Sequence, residues 1–231
     1  WLKNNENNLL KIKHGLVATC IGDKGNFTYK KSRKGNTELD ITVKKILEKT
    51  KNNYKIIDFF PYGSDERQFC SPGFNLPVGS LLRSMYGGEG FPEYHTSADN
   101  LDFMSKDNLS ESFLTYISII LELETNFDNK QQSENQQSSR NRVVETDQRF
   151  LNLNPKCEPQ LGKRGIYHQL GGQVDKLHYR DIELAIFWIL NLSDGTNSIE
   201  EITKKSCMSM EKIKTGLEIL ITTKLIKKIK N

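Results

Sequence analysis

Apolar residues along this chain fall into short runs and helical repeats, separated by polar stretches. Leu16-Val17-Ala18-Thr19-Cys20-Ile21 is rich in branched side chains and closes on Gly22-Asp23-Lys24-Gly25. That pattern predicts a buried strand ending in a polar loop. Leu39, Val43, Ile46 and Leu47 recur at helical spacing, so residues 37–50 read as an amphipathic helix. Lys55-Ile56-Ile57-Asp58-Phe59-Phe60 predicts a second strand, halted by Pro61 and Gly63. Leu76-Pro77-Val78-Gly79-Ser80-Leu81-Leu82 predicts a third, with Pro77 at its beginning. Leu109, Phe113, Tyr116, Ile117 and Ile120 line one side of a long helix over residues 107–123, capped by Ser105 or Asp107. Alternating strand and helix favours an α/β layer fold. Three strands are too few for the usual mixed sheet with helices on both faces, so the α/β part reads as partial.

The pattern then changes. Residues 125–141 are almost wholly polar and rich in Gln and Asn. Nothing in them repays the entropy of ordering, so residues 125–149 read as a linker or exposed loop. Residues 150–173 form a loop-rich connection with Pro155, Pro159, Gly162, Gly165, Gly171 and Gly172. Residues 174–231 are patterned as short helices. Ile182, Ala185, Ile186, Ile189 and Leu190 share one face after Asp181, and Asp194-Gly195 ends that helix in a turn. Ser198 and Glu201 stand at capping-box spacing, and Ser209 caps a third helix bearing Ile213, Leu217 and Leu220. With Leu225 to Lys230 as a closing strand, the segment resembles a winged helix.

Charge changes the picture more by its distribution than by its net value of +4. Residues 1–60 hold 13 basic and 6 acidic side chains, whereas residues 61–123 hold 3 and 9. An acidic centre behind a basic flank fits a carboxylate-lined cleft, although a Lys- and Asn-rich stretch can equally decorate solvated helices. No run approaches the eighteen or so apolar residues of a membrane span, and Trp1 to Leu10 lacks the apolar core of a signal peptide. Cys20, Cys70, Cys157 and Cys207 are widely spaced, with no C-x-x-C pair. A reduced, cytoplasmic chain is the expectation.

Candidate chemistry clusters in three places. Gly63-Ser64-Asp65-Glu66-Arg67 follows a predicted strand directly, where a sheet fixes the roots of loop side chains that face a crevice. Asp65 can instead accept backbone N–H groups, and Glu66 can pair with Arg67 or another base. His95, in Glu93-Tyr94-His95-Thr96-Ser97-Ala98-Asp99, is an imidazole among carboxylates that can serve as ligand or base, or as a hydrogen-bonded surface residue. Asp23, at the end of the first strand, can point into the same crevice as the loops after the second and third strands. Its oxygen and a nitrogen of His95 are donors that zinc accepts, but two ligands do not close a zinc site.

These stretches resemble the aminopeptidase-like zinc metallohydrolases, in a bacterial branch associated with polysaccharide biosynthesis. The resemblance rests on Gly22-Asp23, the run Gly63 to Gly73, Leu76-Pro77-Val78-Gly79, Pro92 to Asp102, and Glu158 to Tyr167, followed by a winged-helix-like end. It implies a partial three-layer mixed-sheet domain over residues 1–124 and zinc as cofactor. It further implies Asp23 and His95 as metal ligands, and Asp65, Glu66 and Tyr94 as catalytic groups beside the metal. Arg67 and Arg164 would bind a substrate carboxylate, with ion pairing as their duller role. The substrate would be a peptide or small amide. The family's first metal ligands and general-base glutamate would precede Trp1, so the resemblance implies weak or absent activity without that upstream half. A complementing N-terminal half or self-association would supply the partner.

The alternative is a winged-helix binding or protein-interaction module on a non-catalytic α/β scaffold. Lys212, Lys214, Lys224, Lys227, Lys228 and Lys230 can face phosphate. Residues 181–231 balance 8 basic against 7 acidic side chains, however, and the presumed recognition helix has few groups suited to base edges. That argues against nucleic acid as a partner.

Overall fold

A computed structural model describes residues 1–9, 11–85, 91–130, 148–166 and 176–229, with the side chains of 127–130 and 176–180 outside the description. The chain divides into two compact units. The first comprises Trp1–Phe59, Gly63–Glu66 and Leu76–Ser139, and the second Phe60–Tyr62, Arg67–Asn75 and Arg140–Asn231. The architecture is mixed α/β followed by a winged-helix region.

In the first unit a single-turn helix α1 (Glu6–Leu9) leads to β1 (Gly15–Ala18), β2 (Phe27–Lys30), α2 (Glu38–Thr50) and β3 (Tyr54–Ile57). The short helix α3 (Glu66–Phe69), of which only Glu66 belongs to this unit, precedes β4 (Val78–Leu82) and the long helix α4 (Lys106–Lys130). The sheet order is β1-β4-β2-β3. β1 is parallel to β4 and β2 to β3, while β4 and β2 are antiparallel. Helices α2 and α4 cover one face, packing Leu39, Val43, Ile46, Leu47, Ile119 and Leu123 on Phe27, Tyr29 and Leu81. Ser105 caps α4 through its hydroxyl, which accepts from Asn108 N at 3.3 Å.

β2 has no counterpart in the sequence reading. Its four residues are all buried, including Lys30, and a charged side chain inside a short Phe-Thr-Tyr-Lys run breaks the apolar pattern that announces a buried strand.

The turn into α2 is built around Asp40. Its carboxylate accepts from Ser32 Oγ at 2.6 Å, Thr37 Oγ1 at 2.7 Å, and Ser32 N, Thr37 N and Tyr29 Oη at 2.8 Å each. Thr37 Oγ1 accepts in return from Asp40 N, closing a capping box.

The second unit contains β5 (Arg149–Asn152), α5 (Lys176–Leu192), β6 (Asp194–Ser198), α6 (Ile199–Ser206), α7 (Met210–Thr222) and β7 (Ile226–Lys228). Its sheet runs β6-β5-β7, with β5 central and antiparallel to both neighbours. The three helices enclose Ala185, Ile186, Ile189, Ile202, Ile213 and Leu217. Gly216 lets α7 approach α5, because a Cβ there would lie 2.9 Å from Ile189 Cδ1. Ser198 and Glu201 complete the expected capping box, and Ser209 caps α7. β6, Asp-Gly-Thr-Asn-Ser, has the composition of a turn and becomes a strand only because β5 pairs with it. β5 itself spans the boundary between the expected linker and the loop-rich stretch.

Burial pushes the Asp40 carboxyl up, but the hydrogen bonds from Ser32, Thr37 and Tyr29 prevail and hold it below the ordinary carboxylate value. A depressed carboxyl contributes stability above its unfolded pKa of about 3.9, and loses it as pH falls through the folded value. The first unit therefore loses stability below about pH 4 through this group. Asp40→Asn is expected to cost about 1.5–3 kcal/mol at neutral pH and to flatten that acid slope in urea melts across pH. An unchanged slope would contradict it.

Candidate active site

Two loop systems occupy opposite ends of the first unit's sheet. β1 and β4 run parallel, so the loops that leave them emerge at one end. There Asp23 is 4% exposed. Its Oδ1 accepts from Ser84 Oγ at 2.5 Å and Gly25 N at 2.7 Å, and Ser84 N lies 3.3 Å from both carboxylate oxygens. Gly25 is required by this closeness: a Cβ would stand 2.1 Å from Ser84 Oγ and 2.7 Å from Asp23 Oδ1.

Arg83, also buried, fastens the same loops to α4. Its guanidinium donates to Gly25 O at 2.9 Å, Ser112 Oγ at 3.1 Å and Asn108 O at 3.2 Å, and pairs with Glu111. Arg83 N reaches Cys20 O at 2.9 Å, and Asn108 Nδ2 donates to Asp23 O at 2.9 Å.

His95 lies on the loop before α4, which is stitched to the Asp23 loop by Ser105 N donating to Gly22 O at 2.8 Å. Met104 packs so closely there that a Cβ on Gly22 would be 2.6 Å from its Cε. The loop has an aromatic centre: Phe91 stacks on Phe103 at 5.2 Å and meets Tyr94 edge-on at 5.5 Å. Tyr94 is half-buried and contacts the His95 ring at 4.0 Å. His95 itself is exposed, on a left-handed backbone with φ of 61°. Burial pushes the Cys20 thiol up, Thr19 opposes this with a hydrogen bond, and the charges of Asp23 and Asp99 add to the rise. Asp99 on the His95 loop is thus within electrostatic reach of the loop that holds Asp23.

β2 and β3 run the other way, so Gly63–Glu66 leaves the opposite end. The fold does not bring Asp65 and Glu66 to Asp23 and His95 in one crevice. Glu66 is fully buried and bonds Lys30 Nζ at 2.7 Å, and both side chains have 0% exposure. Lys30 also sits 5.3 Å from the centre of the Phe59 ring. Asp65, the adjacent residue, is exposed.

Arg67 and Arg164 belong to the second unit. Arg67 donates to Glu158 at 2.9 Å and stacks 5.1 Å from the Phe187 centroid. Arg164 is exposed, with Nε bonded to Pro159 O at 2.8 Å. On the winged helix Lys212 pairs with Asp181, and the exposed residues of α7 include Glu211 and Glu218 beside Lys214.

Sequence reasoning missed Ser84, Arg83 and Lys30. The first two stand immediately after a predicted strand, where polar side chains at a parallel-strand end are a usable signal. Lys30 carries none, since its partner is 36 residues away.

Comparison with known proteins gives consistent relationships. Residues 1–126 match the family described as Domain of unknown function (DUF4910), and residues 148–228 match a winged helix-turn-helix family. A Clostridium acetobutylicum protein named for polysaccharide biosynthesis and an aminopeptidase-like domain is 48% identical over 227 residues, 98% of this chain. The chain spans 46% of the length of that relative. A solved structure from Clostridium acetobutylicum, named as a peptidase, is 44% identical with a TM-score of 0.51, covering 99% of this chain and 45% of its own. Among the described residues, no group of three or more His, Cys, Asp or Glu is placed to hold a metal ion, and no helix is long and apolar enough to cross a membrane.

The buried pair generates a test of how this end of the sheet is held. Removing one partner leaves an uncompensated charge, so Lys30→Ala is expected to cost about 3–5 kcal/mol in urea unfolding of the first unit. The double change Lys30→Met with Glu66→Leu should recover most of that loss. A cost below about 1 kcal/mol for the single change would contradict the pairing.

Proposed function

We propose that this chain, which belongs to the family described as Domain of unknown function (DUF4910), is one portion of a zinc-dependent aminopeptidase-like hydrolase with a winged-helix unit attached. Cleavage of a peptide or small amide bond then requires the remainder of the hydrolase domain. The observation that carries this reading is the pinned carboxylate of Asp23. A parallel-strand end, a serine hydroxyl and backbone N–H groups hold it beside the loop that bears His95. The relative named for an aminopeptidase-like domain supports it.

Zinc fits these residues only in part. A catalytic zinc takes three protein ligands and a water, and supplies an activated water and a polarised carbonyl. Asp23 offers one carboxylate already engaged by Ser84 and Gly25, and His95 one exposed imidazole. These two donors do not complete a zinc site on this chain alone. What the chain contributes is position. Ser84 and Gly25 fix the Asp23 carboxylate, Arg83 locks both loops to α4, and the Phe91–Phe103 stack presents His95. Tyr94 shapes the surroundings of His95, whereas Glu66 holds the opposite end of the sheet. Arg67 and Arg164 remain candidates for a substrate carboxylate, though Arg67 is occupied by Glu158.

The test is a full-length chimera in which residues 1–231 replace the matching stretch of the Clostridium acetobutylicum relative. It is expected to retain zinc through dialysis and to hydrolyse aminoacyl amides. Asp23→Asn and His95→Ala are each expected to lower both zinc retention and turnover at least about tenfold. Zinc content and rate unchanged in both variants would overturn the assignment.

A further inference from the structure

A cleft of about 680 Å³ opens in the first unit, lined by the start of β2, the turn into β3 and the segment that follows β4. That volume falls among those of small-molecule sites, about 300–1,000 Å³. Part of its lining is the sheet face turned away from α2 and α4. Phe27, Tyr29, Tyr54 and Ile56 pack toward the core under those helices, so strand alternation turns Thr28 and its register partner Lys55 the other way. Asn26 stands just before β2, and Asn52 and Asn53 just before β3. Phe91, braced by its stack on Phe103, lines the cleft as well.

The polar groups of this cleft are not engaged elsewhere. Asn26, Asn52, Asn53 and Lys55 are exposed, and with Thr28 and Tyr54 their side chains make no hydrogen bond or ion pair to another described residue. Arg83 also lines the cleft, but its guanidinium is answered by Glu111. Among the described lining residues, Lys55 is thus the cation without a counter-charge, and none is Asp or Glu. Each carboxamide offers both a donor and an acceptor, which suits hydroxyl groups that give and take a hydrogen bond. The negative face of an aromatic ring such as Phe91 suits the C–H groups of a sugar, and a free ammonium suits an anion.

We propose that this cleft binds a saccharide carrying a carboxylate, with Asn26, Asn52 and Asn53 bonding its hydroxyls and Lys55 its carboxylate. The cleft adjoins Asp23, because Ser84 lines it and donates to the Asp23 carboxylate at 2.5 Å. The inference deepens the functional reading and rests on it for the reaction alone: the amide presented beside Asp23 is one borne by that sugar. Binding itself draws on residues of the first unit only. A peptide held by its α-ammonium calls for the opposite charge, and Lys55 repels it.

The experiment titrates the folded 231-residue chain in ligand-observed saturation-transfer NMR. Glucuronic acid, galacturonic acid and N-acetylneuraminic acid are the acidic probes, with glucose, N-acetylglucosamine and dialanine beside them. At least one acidic sugar is expected to bind with a Kd of about 1 mM or tighter, and the other three compounds at least about tenfold more weakly. Lys55→Met, and the double change Asn52→Ala with Asn53→Ala, alter exposed residues. Circular dichroism should therefore be unchanged while acidic-sugar binding weakens at least about tenfold in each. Failure of all three acidic sugars to bind, equal binding of the neutral sugars, preference for dialanine, or binding indifferent to both variants overturns the proposal. The functional reading is tested apart, on the chimera described above. A chimera that binds the acidic sugar but hydrolyses no amide overturns that reading and leaves the cleft standing, whereas amide hydrolysis without sugar binding overturns the cleft alone.

Discussion

The antiparallel seam between β4 and β2 decides where everything else can be. Had all strands run one way, every candidate loop would have opened on one crevice. Instead β1 and β4 deliver Asp23 and Ser84 to one end, and β2 and β3 deliver Gly63–Glu66 to the other. In the seam Lys30 stands opposite Ser80, four residues before Ser84, a separation of roughly 13 Å along a strand. The two ends are held by different means. Asp23 is fixed by short neutral donors from its own loop and the neighbouring one, and Glu66 by a fully buried ammonium.

That division gives the two carboxylate clusters different work. The Asp23 end combines a positioned carboxylate, an exposed imidazole on the adjoining loop and an arginine that clamps loops to a helix. The Glu66 end has a charge sealed against a charge, where desolvation is costly and breaking the pair costs more. Asp65 and Glu66 are neighbours in sequence, yet one is exposed and the other has no contact with solvent. Adjacency of titratable residues therefore says little about shared chemistry.

The helices were legible because their repeats are long and their caps are explicit. Ser198 with Glu201 marks a helix start by side-chain chemistry that needs no tertiary context, whereas the Thr37–Asp40 box of α2 emerged only in the structure. The strands were less legible. β2 hides its burial behind a lysine, and β6 is a turn sequence that pairs only because β5 lies beside it. Asp23 was readable from its place after a strand, whereas its partner Ser84 and the sorting of loops to opposite ends depend on strand direction, which no local pattern encodes. The winged-helix unit was readable as a class. Its α7 surface, where Lys212 is engaged by Asp181 and Lys214 stands with Glu211 and Glu218, has the mixed charge of a packing or interaction face.

In the proposed function this chain holds one margin of a metal site, and the remaining donors come from elsewhere in the hydrolase. Zinc content of the purified, folded 231-residue chain, taken by elemental analysis after dialysis, tests it most directly. The account predicts zinc well below one ion per chain. Near-stoichiometric zinc, lost on His95→Ala, would show a complete site within these residues and contradict it.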